Sequence, residues 1–587
     1  MKEQFQIDGT SITELKENIR HKQNEIALAY RSGDKITSFK LAEKLVQNRQ
    51  AHILAVHRVV TNKGARSPGI KEKPVKTNKQ YYELVDEIGY IVKNVNRYKA
   101  RPLRRIFIES PPGRIRPLSI PSYVDRCLQS LFLIAIDPIV EDDHDVYSYG
   151  FRPYKNPHWA VGNLGFLLSN TRPNVQYRYV IKVDIRKCFD MINQDFLIAV
   201  TPVIPIQIMH SWLNCGYIDL KISEKIEPTG LGVPQGGIIS PLLANLALNG
   251  IQEHLKELLK IDKSKGGASV VRFADDLVVL CRNKETVIKN LKNLKKYLIP
   301  RGLEINETKT KVIDIEYETL TFVGFEFKKV YRENRKIKTL FISIPKSAIR
   351  KLKNKLRGIF KTPPHTRKSI ANCIFKSNPI IRGWAQYYSF AYDAQFVMNK
   401  LEYWLWKLYY FKLMKTYKNQ YPNLGRWELN RKFRHNQNYF NKKTQWPQIL
   451  FHNKELKLFK PTSIKQRAPQ FTHKGKNPYI LEDLEKIAKI NLQMRSSWHK
   501  KILKRYQYKC GLCGDNLYKN HLKYELHHIL PLKYKGIDKI TNMVPLCPDP
   551  CHKDITSAVA RQNKERCLYF INRGVLKIPP QDLKDFK

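Results

Sequence analysis

The ten residues Val271-Arg272-Phe273-Ala274-Asp275-Asp276-Leu277-Val278-Val279-Leu280 constrain this chain more than any others. β-Branched and apolar arms on either side of a two-carboxylate turn predict a buried hairpin with Asp275 and Asp276 at its tip. Two like charges held side by side in a poorly solvated site are costly without a counter-cation. A divalent metal meets that need, and an all-oxygen ligand set favours Mg²⁺. An Asp-Asp pair standing alone reads equally well as a solvated turn, so the metal reading needs a second strand that ends in a carboxylate.

That strand lies upstream, in Tyr179-Val180-Ile181-Lys182-Val183-Asp184-Ile185-Arg186-Lys187-Cys188-Phe189-Asp190. Between the two runs, Gly232-Val233-Pro234-Gln235-Gly236-Gly237 is a glycine-rich turn opening an apolar helix that passes through Asn245. Asp184, Asp275 and Asp276, holding two Mg²⁺, would clamp the attacking hydroxyl and the leaving pyrophosphate of a nucleotidyl transfer.

In this order the blocks resemble the palm of a reverse transcriptase in its group II intron form. Gly113-Arg114-Ile115-Arg116-Pro117-Leu118-Ser119-Ile120-Pro121, followed by Asp125-Arg126 and Gln129, is similar to the family's fingers motif. Ser148-Tyr149-Gly150-Phe151-Arg152-Pro153, the stretch Gly302 to Lys311, and Phe322-Val323-Gly324-Phe325 resemble its remaining blocks. The resemblance implies a multidomain α+β right-hand polymerase, with fingers, an antiparallel palm sheet and an α-helical thumb. It further implies that the Ile185 carbonyl completes one Mg²⁺ site and that Phe189 crowds the sugar 2′ position. A core phenylalanine in a β-α turn is the other reading of Phe189. By the same resemblance Gln235 lines that pocket, and Arg116 and Lys309 contact the triphosphate of a dNTP.

Charge points the same way. Lys and Arg total 104 against 52 Asp and Glu, a formal net charge of +52, and such a surplus calls for a polyanionic partner. No run approaches the ~18 uninterrupted apolar residues of a membrane span, and the cations are spread along the chain, so nucleic acid is favoured over an acidic membrane. The start, Met1 to Asp8, reads as neither a signal peptide nor an acid-poor transit sequence. Four of the ten cysteines cluster between Cys510 and Cys551, as metal ligands in a reducing compartment do. An intracellular protein is expected, of an organelle or a bacterial cytoplasm; the abundance of Lys, Asn, Ile and Tyr suits an A+T-rich genome.

Along the chain the expected organisation is an N-terminal extension over 1–80, fingers and palm over 81–344, a thumb or maturase (X) domain over 345–440, a basic DNA-binding segment over 441–500 and a metal module over 501–587. The turn Asn62 to Ile70 resembles the family's N-terminal extension, with Lys63 and Arg66 toward RNA; where the family continues Asp-Gly, this chain has Lys71-Glu72. The helix over 347–357 has a densely basic face including Lys351 and Lys355, and Arg382, Trp384 and the aromatics of Leu401 to Trp406 interleave with cations as RNA binding requires. About half of those aromatics are expected to be helix-packing core.

In the last module, Cys510-Gly511-Leu512-Cys513 and Cys547-Pro548-Asp549-Pro550-Cys551 carry structural Zn²⁺ spacing. Zinc alone leaves His527, His528, Asn542 and His552 unexplained. That set resembles the HNH (ββα-metal) endonucleases, and the resemblance implies His528 as general base, His527 and His552 on one divalent ion, Asn542 bracing the base's loop, and Cys510, Cys513, Cys547 and Cys551 on zinc. A histidine the family often has a few residues later is replaced here by the Ile555-Thr556 region. Together the features imply a group II intron-encoded protein. Its RNA-directed DNA polymerase would copy intron RNA, its maturase would assist splicing, and its nuclease would nick target DNA for retrohoming. A splicing-only maturase with an inactive polymerase or vestigial nuclease is the alternative; a stand-alone reverse transcriptase and an RNA-templated RNA polymerase are further ones.

Overall fold

The computed structural model describes residues 12–586 except 111–113, 170–176, 223–224, 258–268, 333–336, 362–366, 421–457, 469–474, 494–496, 518–523, 532–533 and 535–539. Parts of the expected DNA-binding segment 441–500 therefore lie outside the described residues.

The N-terminal helices Ile12–Arg31, Lys35–Val46 and Arg49–Thr61 bury Leu15, Ile19, Ile26, Leu45 and Val56 against the helix Tyr123–Asp143. The extension thus shares the fingers' core. In front of that helix, β1 (Leu103–Ser110) and β2 (Arg114–Ile120) form an antiparallel ribbon, and β4 (Tyr217–Ile218) joins β1 in parallel. The Lys71-Glu72 departure has a local use. Lys71 takes a left-handed turn (φ 53°), and the Glu72 carboxylate accepts from the Gly69 N–H (2.9 Å) and the Tyr123 N–H (3.1 Å). A negative group at a helix N-terminus satisfies orphan donors and meets the positive end of the helix dipole.

The palm is a four-stranded antiparallel sheet in the order β5-β6-β3-β7, with β3 Tyr179–Val183, β5 Ser269–Phe273, β6 Asp276–Cys281 and β7 Lys311–Asp314. Along β6, Leu277 and Val279 enter the core shared with the fingers, whereas Val278 and Leu280 enter a second core under the helix Pro157–Leu168. Both faces are covered, so the strand is a continuous apolar run instead of an alternating one.

Next come a three-stranded sheet of β8 (Leu320–Phe322), β9 (Phe325–Arg332) and β10 (Ile337–Ser343), and the thumb helices Lys346–Lys361, Arg367–Tyr388 and Ala394–Gln420. Leu352, Leu356, Ile381, Leu401 and Leu405 hold these helices together. At the C-terminal end, β11 (Glu525–His528) pairs antiparallel with β12 (Met543–Leu546) ahead of the helix Lys553–Arg561, a ββα unit around its own core of Leu503, Leu517, Val544, Leu546 and Phe570.

Candidate functional sites

The β3–β6 register pairs Val183 with Leu277. One step further along this antiparallel ladder, Asp184 comes opposite Asp276, with Asp275 in the turn. Sequence reasoning placed the three carboxylates at neighbouring strand ends; the ladder closes with Val183 opposite Leu277, next to Asp184 and Asp276, and the three carboxylates do not converge as tightly as the four cysteines of the C-terminal unit. Lys182 Nζ lies 3.6 Å from the Asp276 carboxylate, and the Val323 N–H donates to its other oxygen at 3.3 Å. Burial lifts the Asp276 carboxyl above the usual carboxylate range, against the pull of Lys182. A cation already stands where the paired carboxylates call for one.

Asp184 is fixed from behind by the Gly302 to Lys311 block. Its N–H donates to Thr310 Oγ1 (3.1 Å) and its carbonyl accepts from the Asn306 N–H (2.7 Å). The Arg186 N–H donates to the Glu304 carbonyl at 2.9 Å, so Ile185 and Ile305 are a pair with no hydrogen bonds between them. In such a pair the backbone groups face the opposite neighbour, which turns the Ile185 carbonyl toward the β6 side, where the carboxylate turn lies.

Three residues that sequence reasoning did not single out lock the hairpin. Arg272 is 1% exposed; its Nη1 donates to Asn245 Oδ1 (2.8 Å), and Asn245 Nδ2 donates to the Gly150 carbonyl (2.8 Å). Burial pulls the Arg272 guanidinium below its ordinary range, and Asp145 opposes this. Gly150 has to be glycine, because a Cβ there would sit 2.2 Å from the Ala274 backbone nitrogen. The signals were present, a lone arginine in an apolar strand and an asparagine in an apolar helix, but neither names its partner.

Behind the carboxylates, Phe189 is half-buried, and its ring meets Phe151 edge-on (6.3 Å, 81°). Its carbonyl accepts from the Val233 N–H (2.7 Å). Gln235 Nε2 donates to Asp190 Oδ1 (3.3 Å), and the Gln235 carbonyl accepts from the Ser119 N–H of β2 (2.7 Å). Gly236 permits that approach: at φ 128° a Cβ would lie 2.3 Å from the Ser119 carbonyl oxygen. Gln129 Oε1 accepts from the Ile238 N–H (2.8 Å), tying the fingers helix to the same turn. Arg116 and Lys309 are exposed.

Among the RNA-binding candidates, Arg66, Lys351, Lys355 and Arg382 are exposed, and the Lys63 side chain lies outside the described residues. Trp384 packs at 4.8 Å on Tyr388 with its Nε1 buried, on the core side of the expected division. The more open aromatics lie along the helix Ala394–Gln420, where Lys400 covers Phe396 and Lys407 covers Tyr403; Trp406 stacks on Tyr403 and Tyr410 with its own Nε1 buried.

In the C-terminal unit, the thiol sulfurs of Cys510, Cys513, Cys547 and Cys551 lie within 4.8 Å of one another, the only group of three or more possible metal ligands so converged among the described residues. Hydrogen bonds from the other three thiols pull Cys510 down toward the thiolate form. The three-residue spacing before Cys551 is taken up by the turn Pro548–His552, and Cys547 sits in the cluster. His527 and His552 face each other at 5.3 Å, with His552 Nδ1 held by Glu525 at 2.6 Å. Burial pushes His527 down to about 3, so it is neutral, and its buried Nε2 has no hydrogen-bond partner. A neutral imidazole with an orphaned nitrogen fits a metal ligand. His528 points to the other face of β11. Asn542 bridges the following loop twice, Oδ1 accepting from the Leu530 N–H (2.8 Å) and Nδ2 donating to the Leu530 carbonyl (3.0 Å). At the position of the missing histidine, Thr556 Oγ1 donates to the His552 carbonyl (2.7 Å) and Ile555 is buried.

Comparison with known families accounts for these parts. Residues 106–327 match reverse transcriptase (RNA-dependent DNA polymerase), 10–88 its N-terminal domain, 349–433 the group II intron maturase-specific domain and 510–558 HNH endonuclease. Protein YkfC of Escherichia coli is 26% identical over 48% of this chain and 82% of its own length. An uncharacterized 91 kDa protein in the cob intron of Schizosaccharomyces pombe is 26% identical over 60% of this chain and 51% of its own. The group II intron-encoded protein LtrA of Lactococcus lactis is 29% identical over 36% and 35%. The chain combines the domains of, and is similar to, the group II intron-encoded proteins. It carries the family's reverse transcriptase, maturase and HNH domains in that order. Beyond YkfC, it spans about half or less of these relatives' lengths. Among the described residues no helix is long and apolar enough to cross a membrane.

Proposed function

We propose that this chain is a group II intron-encoded protein: an RNA-directed DNA polymerase, a maturase for its own intron RNA and an HNH nickase of target DNA. Its labour divides along the boundaries expected from sequence: extension 1–80, fingers and palm 81–344, thumb 345–440, DNA-binding segment 441–500 and nuclease 501–587. The observation that carries the polymerase reading is the Val183–Leu277 pairing, which sets Asp184 beside the Asp275-Asp276 turn. Asp184, Asp275, Asp276 and the Ile185 carbonyl are the ligands for two Mg²⁺. Bound there, the ions would make the attacking 3′ hydroxyl more acidic and offset the negative charge that builds on the leaving pyrophosphate.

The chain's own residues do the rest. Lys182 and the Val323 N–H hold Asp276 in place. Gln235, fixed between Asp190 and β2, orients the nucleotide, and Phe189 closes the space a 2′ hydroxyl would need. Arg116 and Lys309 take the triphosphate. Arg66, Lys351, Lys355, Arg382 and the open aromatics Phe396 and Tyr403 bind intron RNA through phosphates and stacking.

In the nuclease, His528 takes the proton of the attacking water while Asn542 keeps its loop rigid. His527 and His552 hold a single divalent ion that would polarise the scissile phosphate. The four cysteines hold Zn²⁺ as a structural clasp. The protein works inside an organelle or a bacterial cytoplasm, where its partners are intron RNA, target DNA and dNTPs. Mg²⁺-dependent extension of a DNA primer on an RNA template tests the polymerase reading. Wild-type protein should make cDNA and Asp275→Ala should not, with RNA binding nearly intact because affinity is spread over many phosphate contacts. Splicing assistance with no extension by the wild type would leave a splicing-only maturase.

A further inference from the structure

Phe151 combines two features that a phenylalanine seldom shows together. It is 58% exposed, and its backbone is left-handed (φ 61°), a conformation disfavoured for bulky side chains. Such a conformation persists only where the surroundings dictate it, and here they do. The next residue, Arg152, is buried and donates from Nε and Nη2 to the Glu141 carboxylate (2.8 and 2.7 Å) and from Nη1 to the Asp145 and Ser148 carbonyls (2.9 and 2.8 Å). On the other side, Gly150 is pressed on Ala274 and its carbonyl is held by Asn245. The Tyr149 N–H donates to the Arg272 carbonyl (2.9 Å). The turn is therefore bolted to the hairpin that bears Asp275 and Asp276, and what it presents outward is the Phe151 ring.

That ring meets Phe189 edge-to-face, 6.3 Å between centroids at 81°, within the range of a favourable aromatic pair. Phe151 also lines a cleft of about 590 Å³ together with Ile238 and Phe273; that cleft is walled mainly by the loop Tyr149 to Asn156, and Phe189, Gln235 and the carboxylates are not part of its lining. The backbone of Phe189 is fixed by Val233, but a side chain on a fixed backbone still chooses among rotamers.

We propose that Phe151 is a positioning residue for deoxyribonucleotide selection, a rigid stop that keeps the Phe189 ring on the sugar side of the pocket. This rests on the reading of Phe189 as the 2′ gate. The strained turn then has a use: it delivers the stop from the same rigid body as the metal-binding hairpin, so gate and reacting atoms keep a fixed separation.

The test is single-nucleotide incorporation by the full-length protein on an RNA template with a DNA primer, comparing kcat/KM for a dNTP and the matching rNTP. Phe151→Gly suits the left-handed backbone and so keeps the turn while deleting the ring. It should lower discrimination by about two- to tenfold, the equivalent of one edge-to-face contact, with the change lying mainly in the KM for rNTP. Phe151→Tyr should restore discrimination, and Phe151→Gly combined with Phe189→Ala should discriminate no worse than Phe189→Ala alone. If Phe189→Ala relaxes discrimination but Phe151→Gly does not, the gate stands and the stop is refuted. Weakened template-primer binding at an unchanged ratio would refute it too, making Phe151 a template contact. An unchanged ratio in Phe189→Ala would overturn both readings.

Discussion

His158 joins palm to thumb. It lies in the helix Pro157–Leu168, its Nε2 is 2.8 Å from the Tyr387 carbonyl, and its ring packs on Phe390 (4.2 Å) and Tyr387 (5.1 Å). Burial, helped by Arg467 and opposed by the Tyr387 carbonyl, pushes it from 6.5 down to about 4. The folded protein therefore keeps His158 neutral over a range in which the unfolded chain is protonated. Its contribution is complete above pH 6.5 and is lost as pH falls from 6.5 toward 4. At 1.36 kcal/mol per unit the loss is about 3 kcal/mol. Asp137 acts in the opposite sense. Burial raises it from 3.8 to about 7, so its contribution is present below 3.8 and disappears as pH rises through 7. Because the two oppose each other, the wild-type profile alone is uninformative, whereas the difference from His158→Gln isolates the imidazole. Hydrogen-exchange protection of the helices Pro157–Leu168 and Arg367–Tyr388 should be measured for both proteins at each pH. Wild type should lose about 3 kcal/mol relative to the variant between pH 6.5 and 4. Parallel curves would refute the burial argument.

Other expectations follow from single contacts. Arg152→Leu leaves the fully buried Glu141 with Lys155 at 3.8 Å; removing one partner of a buried pair should cost about 3–5 kcal/mol, read as a lowered unfolding midpoint with a loss of cDNA synthesis. Glu72→Ala removes the acceptor at the start of the helix Tyr123–Asp143 and should cost about 1 kcal/mol, seen as faster exchange of its first turn. Cys513→Ser should loosen the nuclease core, because structural metal sites contribute folding energy directly; protease cleavage confined to 501–587, with primer extension intact, would show it. RNA affinity should fall steeply with salt, and a flat response would count against a phosphate-dominated interface.

The strands and the carboxylate turn were legible because period and composition agree there: Val, Ile and Leu on both sides of a tight turn leave one plausible hairpin. The cysteine pairs were legible from spacing. What stayed hidden is the set of contacts between distant segments. Nothing local says that Thr310 and Asn306 hold the Asp184 backbone, or that Arg272 reaches Asn245 and through it Gly150. Glu72 replaces the expected glycine yet serves as a helix cap, a role visible only when Tyr123 is folded against it. The thumb shows the limit most plainly. Interleaved aromatics and cations mark both Trp384 and Tyr403, and only packing decides that the first turns inward and the second outward.

The central claim is that one chain cuts target DNA and copies RNA from the cut. The most direct measurement uses ribonucleoprotein assembled from the full chain and the intron RNA flanking its reading frame, with an intact DNA target and dNTPs. Wild type should yield cDNA covalently joined to the nicked strand. His528→Ala should give no product from intact DNA but extend a pre-nicked target, and Asp275→Ala should nick without extending. Joined cDNA from either variant on intact DNA would contradict the account.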